Sequence, residues 1–215
     1  MKRRLWLAYV RAGEIVENAL RAVMPSRLRF VHYSWPLRTE VCPCDIHFCD
    51  YLRKRDIRRR SVFHFGPGGH HLVGLRNLED ALDNEILALT LAPAEHAAYV
   101  KRVIRNPVLA KHYKVLFADI YSLSGRSLPR FDVVTLFHLA EFGGMANASR
   151  RLDDDDVLKL FLAQLAPGGL LLFYTGSFGY AKIVPLLEHA VAQHELAFLE
   201  NYQSLAVYRR TPTCG

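Results

Sequence analysis

From residue 61 to the C-terminus the chain alternates short apolar runs with longer helix-like stretches, and this alternation restricts its fold more than any other feature. SVFHF (61–65), EILALTL (85–91), KVLFADI (114–120), FDVVTLF (131–137) and GGLLLFYTG (168–176) read as strands. Between them a short helix precedes Asp83, and PAEHAAYVKRVI, DDDDVLKLFLAQL and YAKIVPLLEHAVAQ have helical spacing, the last interrupted or begun near Pro185. The acids opening the third suit the positive end of a helix dipole. Strands joined through helices build a mostly parallel sheet covered on both faces. The last two strands differ. ELAFLE and SLAVYRR are separated by too few residues for a crossover helix, so they close as a hairpin and one strand at that edge runs antiparallel. The expected class is α/β: a doubly wound, seven-stranded, mostly parallel sheet with an antiparallel C-terminal edge strand.

Residues 4–23 form an amphipathic pattern, with Leu5, Ala8, Ala12, Ile15, Val16, Ala19, Leu20 and Val23 on one face. Glu14 and Glu17 dilute the basic side, which favours a helix docked on its own domain over a membrane-surface anchor. The chain therefore divides into an N-terminal helical appendage (1–44) and one domain (45–215). With 51% hydrophobic and 23% charged residues in 215, one sizeable core is expected. No apolar run approaches the roughly 18 residues of a membrane span, and the N-terminus lacks a continuous apolar leader, so a cytoplasmic protein is expected, peripheral membrane contact being the other reading. The formal charge of +7 permits anionic partners, but the basic residues are scattered and no nucleic-acid motif appears. The densest basic run, Arg53 to Arg60, ends just before the first strand, at the amino end of the sheet; it reads as a solvated helix face, with contact to an acidic partner or membrane phosphate as the sharper alternative.

In an open parallel sheet, ligands bind beyond the carboxyl ends of the strands, where strand order reverses. The first strand runs into FGPGGHH, and Gly66, Gly68 and Gly69 suit a backbone that must come close to a ligand. A dinucleotide fingerprint would need another glycine at position 71 and an acid about 20 residues further on. Position 71 is His71 and the second strand ends at Thr90, so a nicotinamide dehydrogenase is disfavoured.

The order VFHFGPGG, Asp119 in FADI, FDVVTLFHLAEF and LAPGGLLLFY resembles the Rossmann-like class I S-adenosylmethionine-dependent methyltransferases over roughly residues 45–210. The resemblance implies S-adenosylmethionine as cofactor, with Gly66, Gly68 and Gly69 beside its methionine part and Asp119 on its adenine. Two family acids are replaced, one by His64 before the first glycine and one by Thr90 at the end of strand two, where the family's acid binds the ribose. LTLAPAEHAAYVKRV is similar to the cyclopropane-fatty-acid-synthase branch, which carries threonine at that position. In that branch an acid nine residues beyond the strand-four aspartate helps to hold bicarbonate; counting from Asp132 reaches Glu141, while the branch's adjacent histidine is replaced by Phe142.

His64, His70, His71 and His138 all fall near the carboxyl ends of strands one and four. His138 is the candidate for substrate contact, alongside Glu141 as a catalytic pair, and His64 the candidate to replace the missing acid by donating to a loop carbonyl. The segment CPCDIHFCD offers Cys42, Cys44, His47 and Cys49, but its cysteines are spaced more tightly than zinc sites require and one short loop would have to wrap the ion alone, so reduced thiols and no metal are expected. The leading expectation is methyl transfer to an unidentified small molecule. The alternative is a methyltransferase-like binding or scaffold protein without turnover, since both absent acids belong to the cofactor half.

Overall fold

The computed structural model describes residues 34–141 and 152–212, together with Ala12, Ile15, Val16, Ala19 and Val31. The helix expected over 4–23 lies largely outside the described residues; Ala12, Ile15, Val16 and Ala19 are helical and exposed.

The elements run α1 (Cys44–Lys54), β1 (Ser61–Phe65), α2 (Leu72–Glu79), β2 (Glu85–Thr90), α3 (Pro93–Arg105), α4 (Leu109–His112), β3 (Tyr113–Phe117), β4 (Phe131–Thr135), α5 (Asp154–Gln164), β5 (Leu165–Tyr174), α6 (Tyr180–Ala192), β6 (Leu196–Tyr202) and β7 (Leu205–Arg210). One seven-stranded sheet has the order β3-β2-β1-β4-β5-β7-β6. Strands β1 to β5 pair in parallel, and β7 pairs antiparallel to both β5 and β6. The C-terminal strand is thus the antiparallel one, and it lies one position in from the edge that β6 forms. Strand order reverses between β1 and β4, which opens a crevice at their carboxyl ends.

The two faces of the sheet carry separate cores. On one, Phe63 of β1 stacks on Phe161 of α5 at 4.2 Å between ring centroids, with Leu171, Ile183 and Leu187 around them. Asp153 caps α5 by accepting from the Asp156 amide at 2.8 Å, while Asp156 accepts from the Asp153 amide, so acids that looked merely dipole-compatible form a reciprocal box. Helix α6 continues through Pro185, its apolar side Ile183, Leu187 and Ala190 being buried. On the other face, Phe48 and Leu52 of α1 pack with Val62, Val73 and Tyr113. Gly74 admits the Tyr113 ring against α2, where any Cβ would overlap it.

The helix face expected over the basic run Arg53 to Arg60 is displaced: α1 holds Arg53 and Lys54 alone of that run and begins instead at Cys44, in a segment the sequence reading left unassigned. Its basic end is exposed and ion-paired: Arg53 and Lys54 reach Asp50 at 2.8 and 3.1 Å, and Arg55 reaches Glu200 at 2.5 Å. Among the described residues, no helix is long and apolar enough to cross a membrane.

Candidate functional site

The carboxyl ends of β1 to β5 converge on one pocket. Gly66, Gly68 and His70 come from the loop after β1, Thr90 and Glu95 from the β2–α3 turn, and Asp119 and Tyr121 from the end of β3; His138, Glu141 and Tyr174 follow β4 and β5. The segment before α1 closes it with Val31, Trp35, Pro36, Arg38 and Cys42, and Cys44 and Asp45 at the start of α1 complete this side.

On the β2–β3 side the polar groups meet neutral partners. The Thr90 hydroxyl donates to Glu95 Oε2 at 2.6 Å and accepts from the Ala92 amide at 3.1 Å, and Glu95 Oε1 accepts from the Trp35 amide at 2.9 Å. Glu95 is 1% exposed, and burial raises its pKa against these hydrogen bonds. Asp119 caps a short 3₁₀ turn, its Oδ1 accepting from the Tyr121 amide at 3.1 Å. The glycine loop is backed by protein. The Gly69 amide donates to the Trp35 carbonyl at 3.0 Å, and a Cβ on Gly69 would overlap the Ser34 hydroxyl. Gly68 has φ +59°, and a Cβ there would meet the His70 ring at 2.6 Å and the Trp35 carbonyl at 2.9 Å. Steric demand at Gly68 and Gly69 thus comes from the chain itself; Gly66, with open contact toward His138, borders the pocket more directly.

The β4 side is ionic and soft. His138 Nδ1 is 3.1 Å from Glu141 Oε1, which also accepts from Ser177 Oγ at 2.7 Å and the Phe178 amide at 3.1 Å. His138 Nε2 is 3.7 Å from both Cys42 Sγ and Cys44 Sγ, and the sulfurs are 3.4 Å apart. The Cys44 hydrogen bond and then His138 hold the Cys42 thiol down at about 5, whereas burial and the neighbouring Cys42 push Cys44 well up. Burial opposes a charge on His138, but Glu141 and Cys42 outweigh it and raise its pKa well above the usual value. Glu141 is lowered in turn, the imidazole overcoming its own burial. A thiolate and an imidazolium in contact can act as nucleophile and proton donor.

Asp45 was missed by the sequence reading. It is 4% exposed, with Oδ1 at 3.6 Å from His64 Nε2 and Oδ2 at 3.8 Å from His70 Nε2. Burial raises its pKa, but His64, His70 and His138 together bring it below the ordinary carboxylate value.

The four histidines do not share one environment. His138 and His70 line the pocket. His64 is fully buried behind it: Nδ1 pairs with Thr135 Oγ1 at 2.8 Å, and Nε2 has no hydrogen-bond partner. Its partner is therefore a strand hydroxyl, in place of the loop carbonyl expected. His71 is buried with left-handed backbone, φ 53°, its Nδ1 against Tyr113 Oη at 2.8 Å and Nε2 against the Glu95 carbonyl at 2.9 Å. The cysteine segment divides as well: Cys42 and Cys44 face the pocket, His47 Nδ1 meets Ser204 Oγ at 2.6 Å, and Cys49 is buried on the inner side of α1.

The architecture is the Rossmann-like fold of class I methyltransferases. Among solved structures, the CcbJ methyltransferase from Streptomyces caelestis aligns with a TM-score of 0.58 over 82% of this chain and 93% of its own, at 12% identity. The N-methyltransferase NodS from Bradyrhizobium japonicum WM9, solved with S-adenosyl-l-homocysteine, aligns at 0.56 over 81% and 91%, at 14% identity. The [4+2]-cyclase SpnF aligns at 0.54 over 88% and 72%, at 17% identity. No family model and no curated protein matches the chain. These likenesses are of fold, and the same fold includes a cyclase, so the reaction has to be argued from the site.

Proposed function

We propose that the protein is an S-adenosylmethionine-dependent methyltransferase acting on a small-molecule acceptor. The observation that carries this reading is the convergence of the glycine loop, the Thr90–Glu95 pair and Asp119 on one side of a pocket whose other side presents His138 and Glu141. The residues fit the cofactor: apolar Leu91, Ile120 and Tyr121 line the pocket with Asp119, and Glu95 supplies a carboxylate five residues after the threonine that replaced the family's acid. Gly66 and Gly68 would border the methionine part and Asp119 the adenine, while Gly69, turned to Ser34 and Trp35, lies outside the pocket lining. When bound, S-adenosylmethionine supplies a methyl group already activated on a sulfonium, so the protein's main work is alignment. His138 and Glu141 would orient the acceptor.

The cyclopropane-fatty-acid-synthase likeness is kept for the cofactor half alone. It rests on Thr90, which stands where that branch carries threonine and lines the pocket. We also propose the division into residues 1–44 and 45–215, and a cytoplasmic location.

A binding protein without turnover is the second reading. It is favoured by the contact of Ser34 and Trp35 with the glycine loop and by the internal engagement of Thr90, which leave the cofactor side occupied by the chain's own groups. Calorimetry with S-adenosylmethionine and S-adenosylhomocysteine tests the first reading. Binding weakened about 10-fold by Asp119→Ala is expected, from loss of one hydrogen bond to a charged group. No binding of either compound would overturn it. Binding without methyl transfer across a panel of hydroxyl, amine and thiol acceptors would favour the second.

A further inference from the structure

We propose that Cys42, Cys44 and His138 form a binding site for a zinc-class divalent cation, with the fourth coordination position open to the pocket. The two cysteines flank Pro43 at the start of α1, and the histidine arrives from the turn after β4, 94 residues beyond Cys44. Their ligand atoms form a triangle with edges of 3.4 Å between the sulfurs and 3.7 Å from each sulfur to Nε2. Tetrahedral zinc with ordinary zinc–sulfur and zinc–nitrogen bonds would set those edges at about 3.8 and 3.6 Å. The three groups thus stand within a few tenths of an ångström of one face of a zinc tetrahedron.

The surroundings of His138 supply a second, independent observation. Its Nδ1 meets Glu141 Oε1, and Ser177 and the Phe178 amide anchor that carboxylate from a different loop. A carboxylate on one imidazole nitrogen fixes the ring and aims the other nitrogen at the ion, an arrangement common behind metal-bound histidines. Here the other nitrogen points at both sulfurs. Two thiolates and an imidazole are soft to borderline donors, which favour zinc over magnesium or calcium. Asp45 also lies beside the cluster, with Oδ1 3.6 Å from Cys44 Sγ.

This ligand set avoids the objection that one short loop would have to wrap the ion alone, and the 3.4 Å between the sulfurs shows that Cys42 and Cys44 reach one point despite their tight spacing. The third ligand comes from the turn after β4; His47 and Cys49 are turned elsewhere. All three ligands border the same pocket. Water or a donor atom of a bound small molecule would complete the coordination, and three protein ligands with an open fourth position are the pattern of catalytic, rather than structural, zinc.

The site shares His138 and Glu141 with the proposed acceptor side, but its test does not read methyl transfer. The test is titration of the full-length, reduced, metal-free protein with Co²⁺ as spectroscopic probe, followed by displacement with Zn²⁺ under a competing chelator. One equivalent of cobalt should give a thiolate-to-metal charge-transfer band and the intense visible bands of a tetrahedral site, and one equivalent of zinc should abolish them. Cys42→Ser, Cys44→Ser and His138→Gln should each weaken zinc binding by about 100-fold or more, and Glu141→Gln by about 10-fold. His47→Ala and Cys49→Ala should leave it unchanged. Circular dichroism checks that each variant is folded; should Cys44→Ser fail, the more exposed Cys42 provides the decisive substitution. No thiolate band at one equivalent, binding that survives Cys42→Ser, or a Cys42–Cys44 disulfide that excludes the metal under reducing conditions would overturn the proposal. Calorimetry of S-adenosylmethionine with the metal-free and zinc-loaded forms reads the cofactor separately, so failure of one reading is distinguishable from failure of the other.

Discussion

Two buried carboxylates on opposite sides of the pocket titrate in opposite directions. Glu95 and Asp45 are almost equally inaccessible, at 1% and 4% exposure, and burial alone would raise both. Glu95 meets a hydroxyl and an amide and is raised; Asp45 faces His64, His70 and His138 and is lowered. One side of the pocket is a neutral hydrogen-bonded scaffold, the other a cluster of mutually compensating charges. The difference teaches that burial sets the cost of a charge here, while the type of neighbour decides whether the charge persists. It also separates the roles: the neutral side is suited to holding a ligand's polar edge, the charged side to coordinating or moving protons.

The sharpest way to break this contrast is to remove one member of the charged side. His138→Ala leaves the half-buried Glu141, 16% exposed and still held by Ser177 and Phe178, without its cationic partner, and the expected loss is about 3 kcal/mol in urea unfolding, the low end of the range for a buried pair. Adding Glu141→Gln should recover part of that loss, since the uncompensated carboxylate is then gone. A loss under about 1 kcal/mol for His138→Ala would mean that the charged cluster is not a stabilising unit.

A second test uses two histidines. His138 is raised by its neighbours, but His71, fully buried behind the glycine loop, is lowered by burial to about 4. Above the unfolded value near 6.5 both folded and unfolded forms carry a neutral His71, and its contribution to stability is complete. As the pH falls from there toward 4 the unfolded chain takes up the proton first, so stability drops, by about 2–3 kcal/mol across the window. His71→Phe should flatten this part of the stability profile. An unchanged profile would show that His71 is not held neutral by the fold.

The neutral, regular parts of the molecule were legible because they repeat. Strand–helix alternation and the short link between Glu200 and Ser204 determine the sheet and its antiparallel member, and the site's location follows from topology. The charged side was not legible, since its members are far apart in the chain: Cys42 and His138 are 96 positions from each other and become neighbours only when the fold brings the start of α1 to the turn after β4. Helix α1 was hidden by its own residues, the cysteines and histidine drawing attention from the helical spacing of Cys44, Phe48 and Leu52. Glu95 resembled any first-turn acid of a surface helix. His64 was misplaced because proximity along the chain does not give the direction of a side chain: Phe65, one residue on, borders the pocket, whereas His64 points to the opposite face.

Glu95→Gln probes the neutral side with less disturbance. The amide can accept one of the two hydrogen bonds that the carboxyl group receives from Thr90 and Trp35, but its NH₂ confronts a donor at the other. The expected cost is about 1–2 kcal/mol at acid pH. The raised pKa of Glu95 predicts stability that is complete below the ordinary carboxylate value and is lost as the pH rises through the folded-state value. Glutamine should remove that dependence, so its cost should shrink toward neutrality. A cost that grows with pH would mean that Glu95 is stabilised as a carboxylate, and the contrast with Asp45 would collapse.

The smallest expected effect comes from Thr90. Its hydroxyl links the Ala92 amide to Glu95, so Thr90→Val keeps the branched shape favoured at a strand end while deleting both bonds. A loss of about 1 kcal/mol is expected, with Thr90→Ser restoring most of it. Valine alone cannot separate a structural from a ligand-binding role, because Thr90 is also bonded to Glu95. The combination with Glu95→Gln does. If Thr90 acts only through Glu95, the two substitutions should be non-additive in stability, with a coupling of about 0.5 kcal/mol or more, and Thr90→Val should leave S-adenosylmethionine affinity unchanged once Glu95 is glutamine. If Thr90 itself meets the ribose, valine should weaken that affinity in both backgrounds. Additive stabilities combined with unchanged affinity in both would reduce Thr90 to an ordinary strand terminus and leave Glu95 as the only ribose candidate on the neutral side.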